Sequence, residues 1–237
     1  MTGIIIKAQN EVLELLAKND AFGTWYLAGG TALAKYYYQH RMSYDLDFFT
    51  PEYRQKDVDA IVQCIEEARG VRMVLIEEGT DDRFAQYRQY QLPLEESTVL
   101  KIDFIEDYVS CIEDKNLVND VPVLSLTDIY MRKIAAVAGM IPKKNEIGDE
   151  ITIGGRQEPK DMYDLFMLSR AHVPLSAFAL SHCSDTQREG LVQWFRRYDR
   201  MDMQVGLLDL DTAHTIDAKE IERHFEAEIK KLIKGMM

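Results

Sequence analysis

The chain has 237 residues, enough for one large domain or two small ones, and an apolar share of 46% that is ordinary for a globular protein. Its formal net charge of −12 disfavours extended binding along a nucleic-acid backbone, and no run approaches the roughly 18 apolar residues that span a bilayer. The apolar residues 4–6 ahead of Lys7 are too few for a signal-peptide core, and Cys64, Cys111 and Cys183 fit neither a zinc motif nor a disulfide framework; the expectation is a cytoplasmic protein with reduced thiols and no membrane contact.

In chain order, Ile5, Ala8, Val12, Leu15 and Leu16 recur at helical spacing and predict a surface helix over 4–18. Residues 25–28 form a short apolar run ended by Gly29 and Gly30 and predict a strand; Thr31 is placed to cap a helix that runs through His40. A second strand is expected over 46–49, broken by Thr50-Pro51, and a helix over 54–68. Residues 71–77, 84–90 and 98–105 predict three more strands, the first two joined by the turn Gly79-Thr80-Asp81-Asp82. No strand is expected after these. Ser125 or Thr127 caps a helix to about Val137, residues 139–159 read as a loop or small hairpin, and helices are expected near 160–171 (from Pro159), 186–198 and 217–234. Strands first and helices after predict an α+β fold, with a mixed sheet flanked by helices over 1–125 and a mostly helical domain over 126–237.

The residues able to carry chemistry lie where these elements meet. Gly29 and Gly30 leave room for backbone N–H groups to approach a phosphate, and the helix start beside Thr31 adds free N–H groups and partial positive charge. Arg41 and Ser43 lie just before two aspartates and could contact phosphate or support those carboxylates. The aspartates, Asp45 and Asp47, share one side of a strand, because side chains alternate along it. Paired carboxylates of this kind hold the divalent cations that neutralise charge in phosphoryl and nucleotidyl transfer. Asp103, with Ile102 and Phe104 turned to the core, is expected on a neighbouring strand near that pair, where it could ligate a metal and take the proton of an attacking hydroxyl. Three clustered carboxylates repel strongly unless a cation lies among them.

Taken singly, each feature has a plainer explanation: a solvated strand end for Asp45 and Asp47, an edge-strand charge for Asp103, a tight turn for the glycines. Their combination points to a site. His40 reads equally as a structural hydrogen-bonder or a catalytic group, and Tyr36-Tyr37-Tyr38 as packing rather than base stacking. Residues 128–170 carry as many basic as acidic groups; Arg132, Lys133, Lys143, Lys144, Arg156 and Lys160, gathered on one face, would suit a triphosphate. Asp161 and Asp164 lie one turn apart at a helix start.

Gly-Gly-Thr-Ala-Leu from Gly29, then His40-Arg41-X-Ser43-X-Asp45-Leu-Asp47-Phe-Phe, resembles the AbiEii/AbiGii toxin family of nucleotidyltransferases, relatives of the polymerase-β-like superfamily. Ile102-Asp103-Phe104 is similar to the family's third carboxylate, Lys133 to its helical lysine, and Arg156 to Leu165 to its Arg followed by Lys-Asp-X-X-Asp-Leu. The matches run from residue 27 to 166; residues 171–237 match nothing that can be named.

The resemblance implies a nucleotidyltransferase-like N-terminal domain and a C-terminal domain that completes the nucleotide site. Asp45, Asp47 and Asp103 would hold Mg²⁺ or Mn²⁺, and Lys133 and Asp161 would join them as catalytic residues. Gly29, Gly30, Thr31, Arg41, Ser43, Arg156 and Lys160 would bind the NTP. It further implies an RNA acceptor such as a tRNA, or a protein acceptor given the acidity, and a role as the toxin of a toxin–antitoxin or phage-defence pair with a cognate antitoxin. Two other readings stand beside this one. A glycosyltransferase using Asp-X-Asp explains the pair but neither the glycines nor Asp103, and a catalytically silent nucleotide-binding or regulatory partner explains the fold but not the intact carboxylates.

Overall fold

The structure, a computed structural model, describes residues 2–80, 85–95, 97–139, 141–144, 150–153 and 155–237, with only the backbone of 21, 141–144 and 150–153. The chain divides into two compact units: Met1–Tyr37 with Ser43–Ser125, and Tyr38–Met42 with Leu126–Met237. The five residues 38–42 therefore belong to the second unit although the chain on both sides of them belongs to the first.

The first unit is built on a seven-stranded sheet of order β3-β4-β5-β2-β1-β7-β6. Its strands are β1 (Tyr26–Leu27), β2 (Asp45–Thr50), β3 (Val74–Gly79), β4 (Tyr87–Pro93), β5 (Val99–Glu106), β6 (Asn116–Val118) and β7 (Val121–Val123). The sheet is mixed, as expected: β2 runs parallel to β5 and β1 parallel to β7, whereas β1–β2, β3–β4, β4–β5 and β6–β7 are antiparallel. Alternation governs both central strands. Leu46 and Phe48 on β2, and Leu100, Ile102 and Phe104 on β5, are fully buried. Phe48 and Phe104 stack with ring centroids 5.7 Å apart, and Trp25 meets Phe104 edge-on at 5.3 Å. Helices α1 (Thr2–Leu16) and α3 (Gln55–Arg69) supply the rest of this core through Ile5, Val12, Leu16, Val58, Ile61 and Ile65. The opposite face of β2 and β5 carries the acidic residues, with the pair Phe49 and Ile105 beyond them.

The sequence reading stops the strands at 105, but β6 and β7 form a further hairpin. Asn119 and Asp120 turn it with φ of +51° and +62°, and Asn and Asp tolerate that left-handed region better than most residues. The strand expected over 84–90 runs over 87–93 instead, and Asp81, Asp82 and Phe84 lie outside the described residues.

Helix α2 (Gly29–Ala32) begins at the glycines and continues as a π-helical stretch, Leu33–Tyr38. Thr31 sits inside its first turn rather than at its cap; Ala28 is the N-cap residue and makes no side-chain capping bond.

The second unit is helical apart from the two-stranded pair β8 (Ile141–Lys144) and β9 (Glu150–Ile153). Its helices are α4 (Leu126–Ala138), α5 (Pro159–Ala171), α6 (Leu175–His182), α7 (Asp185–Arg197), α8 (Arg200–Leu208) and α9 (Ala218–Met236). α4 packs on α5 and α7, and α6 on α9. Tyr130 stacks on Phe178 at 4.2 Å and Trp194 meets Phe225 at 5.6 Å. Gly190 of α7 lets the end of α4 approach, since a Cβ there would lie 2.2 Å from the Ala138 carbonyl oxygen. Helices α6 and α8 are additions to the sequence reading. α6 is short and apolar on most of its surface, whereas α8 carries a visible signal in Asp199, which accepts hydrogen bonds from Met201 N and Asp202 N.

Candidate active site

In the first unit, the parallel pairing of β2 with β5 places Asp47 directly opposite Asp103 and Asp45 directly opposite Lys101. Alternation puts all four on one face, with Leu46 and Ile102 turned into the core between them. The three carboxylates foreseen from the sequence thus stand on two adjacent strands, and a lysine stands with them. Lys101 Nζ is 3.0 Å from Asp103 Oδ2. Asp103 Oδ1 is buried and has no hydrogen-bond partner. Gln89 on β4 pairs with Asp103 from the other side.

Burial raises the Asp103 pKa above the usual carboxylate range; the Lys101 hydrogen bond and charge pull it back, the Asp45 charge adds to the rise, and the net shift is upward. For Lys101 burial acts to lower the pKa, but the bond to Asp103 and the charges of Asp103, Asp45 and Asp47 outweigh it, and the net shift is upward. The lysine ammonium is therefore paired with Asp103 and favoured by the charges of Asp45 and Asp47. Among the described residues no three His, Cys, Asp or Glu side chains are grouped so as to hold a metal ion. The donor chemistry nevertheless fits one. Three carboxylates share a sheet face, one oxygen is orphaned, and a lysine ammonium already pairs with one of them.

The glycine turn adjoins this face. Gly29 has φ of +68°, and Asp47 Oδ2 lies where its Cβ would be. Ala28 N donates to the Asp47 carbonyl at 2.9 Å, fixing the turn to β2. Gly30 and Thr31 are buried behind it. Thr31 Oγ1 donates to the Asp45 carbonyl at 2.6 Å and lies 2.8 Å from Ser43 Oγ, while Gln9 Nε2 donates to the carbonyls of Ser43 and Asp45. With Thr31 only 1% exposed, its hydroxyl anchors the start of β2. Ser43 shares that anchoring.

The second unit holds Arg41, Lys133, Arg156 and Asp161, with His40 and Asp164, in one ionic network that is buried except at Arg156. Asp164 Oδ1 accepts from Arg41 Nε at 2.7 Å and lies 2.7 Å from His40 Nε2; Asp164 Oδ2 accepts from Arg41 Nη2 at 2.8 Å and pairs with Lys133 Nζ at 2.6 Å. Lys133 Nζ also donates to Asp161 Oδ1 at 2.8 Å, and Arg156 grips Asp161 with Nε at 2.5 Å and Nη2 at 2.9 Å. Burial alone would raise both carboxylate pKa values, but Lys133 overcomes it, joined by Arg156 at Asp161 and by Arg41 and His40 at Asp164; both are pulled below the usual range. Lys133 is correspondingly raised, against its own burial.

Arg41 is thus a buried partner of Asp164 and not an exposed phosphate ligand. Arg156 is the member of this network that reaches solvent, its side chain 49% exposed, and Lys160 is half-buried on α5 nearby in sequence. Arg132 bonds to Asp128 on its own helix. The side chains of Lys143 and Lys144 lie outside the described residues. Sequence reasoning assigned no site role to two residues that the fold brings in: Asp164, whose spacing from Asp161 was visible, and Lys101, which alternation places beside Asp103.

The family model "Nucleotidyl transferase AbiEii toxin, Type IV TA system" matches residues 11–237. The uncharacterized protein aq_aa25 of Aquifex aeolicus (strain VF5) is 29% identical over 166 residues, 70% of this chain and 68% of that one. JHP933 from Helicobacter pylori shares the fold with a TM-score of 0.56 at 17% identity, covering 97% of this chain and 92% of its own. A second H. pylori structure, described as that of a candidate nucleotidyltransferase, matches with a TM-score of 0.57 at 17% identity over 97% and 95% of the two chains. With a match over nearly its whole length, the chain belongs to the AbiEii nucleotidyl transferase toxin family and is a nucleotidyltransferase.

Proposed function

We infer that the protein moves a nucleoside monophosphate from an NTP to an acceptor hydroxyl. The acceptor oxygen bonds to the α-phosphorus, the bond from that phosphorus to its leaving oxygen breaks, and pyrophosphate departs. The observation that carries this reading is the register of β2 and β5, which sets Asp103 opposite Asp47 with Asp45 on the same face. Asp45, Asp47 and Asp103 would hold Mg²⁺ or Mn²⁺, which when bound neutralises charge on the transferring phosphoryl group. Asp103 Oδ1, buried and without a partner, is suited to take the acceptor's proton, and its raised pKa favours that task. Backbone N–H groups of Gly29 and Gly30, at the start of α2, serve as phosphate donors. In the second unit Arg156 and Lys160 offer an anion-binding surface, and Lys133, Asp161 and Asp164 hold Arg156 in place.

The acceptor is an RNA, a tRNA among the candidates, or a protein, and the family's toxin character implies an antitoxin encoded with it. The test is transfer of label from each α-³²P-NTP in the presence of Mg²⁺ to total RNA and to protein from cell extract. Label on one acceptor class, lost in Asp45→Asn, is the expected result. Equal labelling by wild type and Asp45→Asn, or no labelled product with any NTP, would overturn the reading.

A further inference from the structure

We propose that Lys101 is the resident cation of the acidic face and competes with the divalent ion for it, so that this nucleotidyltransferase loads metal poorly until nucleotide arrives. The inference rests on the reading of Asp45, Asp47 and Asp103 as metal ligands. It concerns a residue that no part of that reading uses.

Four observations on the same sheet face support it. Lys101 is opposite Asp45 in the β2–β5 register and two residues before Asp103, so it shares one sheet face with all three carboxylates. Its Nζ is 3.0 Å from Asp103 Oδ2, the distance of a charge-assisted hydrogen bond. Burial works against its charge, but the charges of Asp103, Asp45 and Asp47 all favour it. It is also only about a third exposed, its side chain at 36%, whereas a lysine ammonium ordinarily reaches into water.

Three carboxylates on neighbouring strands repel one another unless a cation neutralises them. A lysine built into the face supplies one positive charge at all times. A divalent ion supplies two, but at Asp103 it must either displace the ammonium from Oδ2 or bind at Oδ1 with the ammonium's charge close beside it. The acidic face is therefore folded and neutralised before metal arrives, and entry of the first divalent ion is weakened. The polyphosphate of an incoming NTP brings the negative charge that an expelled ammonium can meet, so nucleotide and metal favour each other's binding. Reciprocal coupling of this kind is a thermodynamic requirement once one ligand weakens the obstacle to the other.

The experiment is Mn²⁺ titration of the full-length, metal-free protein without nucleotide, with free Mn²⁺ monitored by electron paramagnetic resonance. Lys101→Met is expected to bind Mn²⁺ more tightly than wild type, by on the order of tenfold, and Lys101→Arg to bind no more tightly than wild type. Should Lys101→Met not fold, as judged by circular dichroism, Lys101→Gln takes its place with the same expectation. Equal or weaker Mn²⁺ binding in the neutral variant would overturn the proposal. Asp45→Asn separates this outcome from failure of the underlying reading. If Asp45→Asn loses Mn²⁺ while Lys101→Met matches wild type, the carboxylate site stands and the role of Lys101 falls. If wild type and Asp45→Asn bind Mn²⁺ alike even with a non-hydrolysable NTP analogue present, the site reading itself falls, and this proposal with it.

Discussion

A Cβ placed on Gly29 would stand 2.2 Å from Oδ2 of Asp47, so the carboxylate lies over the start of α2 only because residue 29 has no side chain. Its φ of +68° is a second reason for glycine. Gly29→Ala therefore carries both a clash and left-handed backbone strain, and about 1–3 kcal/mol of stability should be lost, read as a lowered urea midpoint. Because the clash is with Asp47, the double variant Gly29→Ala/Asp47→Ala should lose less than the two single changes together. Strict additivity would show that the glycine does not make room for the carboxylate.

Burial disfavours the ionised form of Asp103. A folded pKa raised above the unfolded value means that folding takes up a proton as pH falls, and that the carboxylate weakens the fold at neutral pH. Asp103→Asn should accordingly melt at or above the wild-type temperature at pH 7 in EDTA while nucleotidyl transfer falls by on the order of 10³-fold. Lower melting together with retained transfer would contradict both roles.

Asp164 behaves in the opposite sense. Its pKa and that of Asp161 are depressed, so their contribution to stability is complete above the ordinary carboxylate value near 4 and is lost progressively as pH falls below it. Asp164→Asn leaves Arg41 and Lys133 buried with one fewer counter-charge, a loss of about 3–5 kcal/mol at pH 7. The gap between the urea midpoints of wild type and variant should begin to narrow as pH drops from 4 toward 3. A gap that stays constant over that range would show that the carboxylate charge is not what stabilises the second unit.

Arg156 combines a bidentate grip on buried Asp161 with a half-exposed side chain. Solvent screening limits its worth to about 1 kcal/mol or less, so Arg156→Ala should leave the fold nearly unchanged. If it contacts the nucleotide, KM for the NTP rises while the melting temperature does not fall. A change in stability without a change in KM would assign it to the network alone.

The hairpin turn at Asn119 and Asp120 places two L-residues in the left-handed region. Asn119→Gly should relieve local strain and stabilise by about 0.5 kcal/mol, measurable by thermal melting of the full chain, unless the greater freedom of the unfolded glycine cancels the gain. An unchanged or lower melting temperature would show that cancellation.

Much of this architecture was legible from the residues, for reasons that differ from one element to another. The central strands announced themselves by alternation: Leu46 and Phe48 inward against Asp45 and Asp47 outward, and Ile102 and Phe104 against Asp103. Such a pattern is local, and register then brings the two strands together. β6 and β7 span only three residues each, too few for periodicity to show, and Pro122 argues against a strand; the Asn119-Asp120 pair was the signal available. The roles of Thr31 and Arg41 were not legible, because a polar residue next to a site looks the same in sequence whether it faces a ligand or turns inward. Only the fold shows that one ties down β2 and the other meets Asp164. Lys101 was within reach of the same alternation that found Asp103, but a lone lysine in a strand is usually read as a solvated charge.

Arg41 and Asp164 are separated by 123 positions along the chain, and the five-residue segment that carries Arg41 belongs to a body completed only by the C-terminal half. During synthesis at about 5–20 residues per second, the guanidinium is made several seconds, up to about 25, before its carboxylate. The nascent sheet must therefore form around a loop whose arginine and histidine are still hydrated and unclaimed. A gene cut at the apparent boundary near residue 125 would make that interim state permanent: one piece would carry Arg41 and His40 without Asp164, and the other would keep the pairing of Asp164 with Lys133 but lose that with Arg41 and His40.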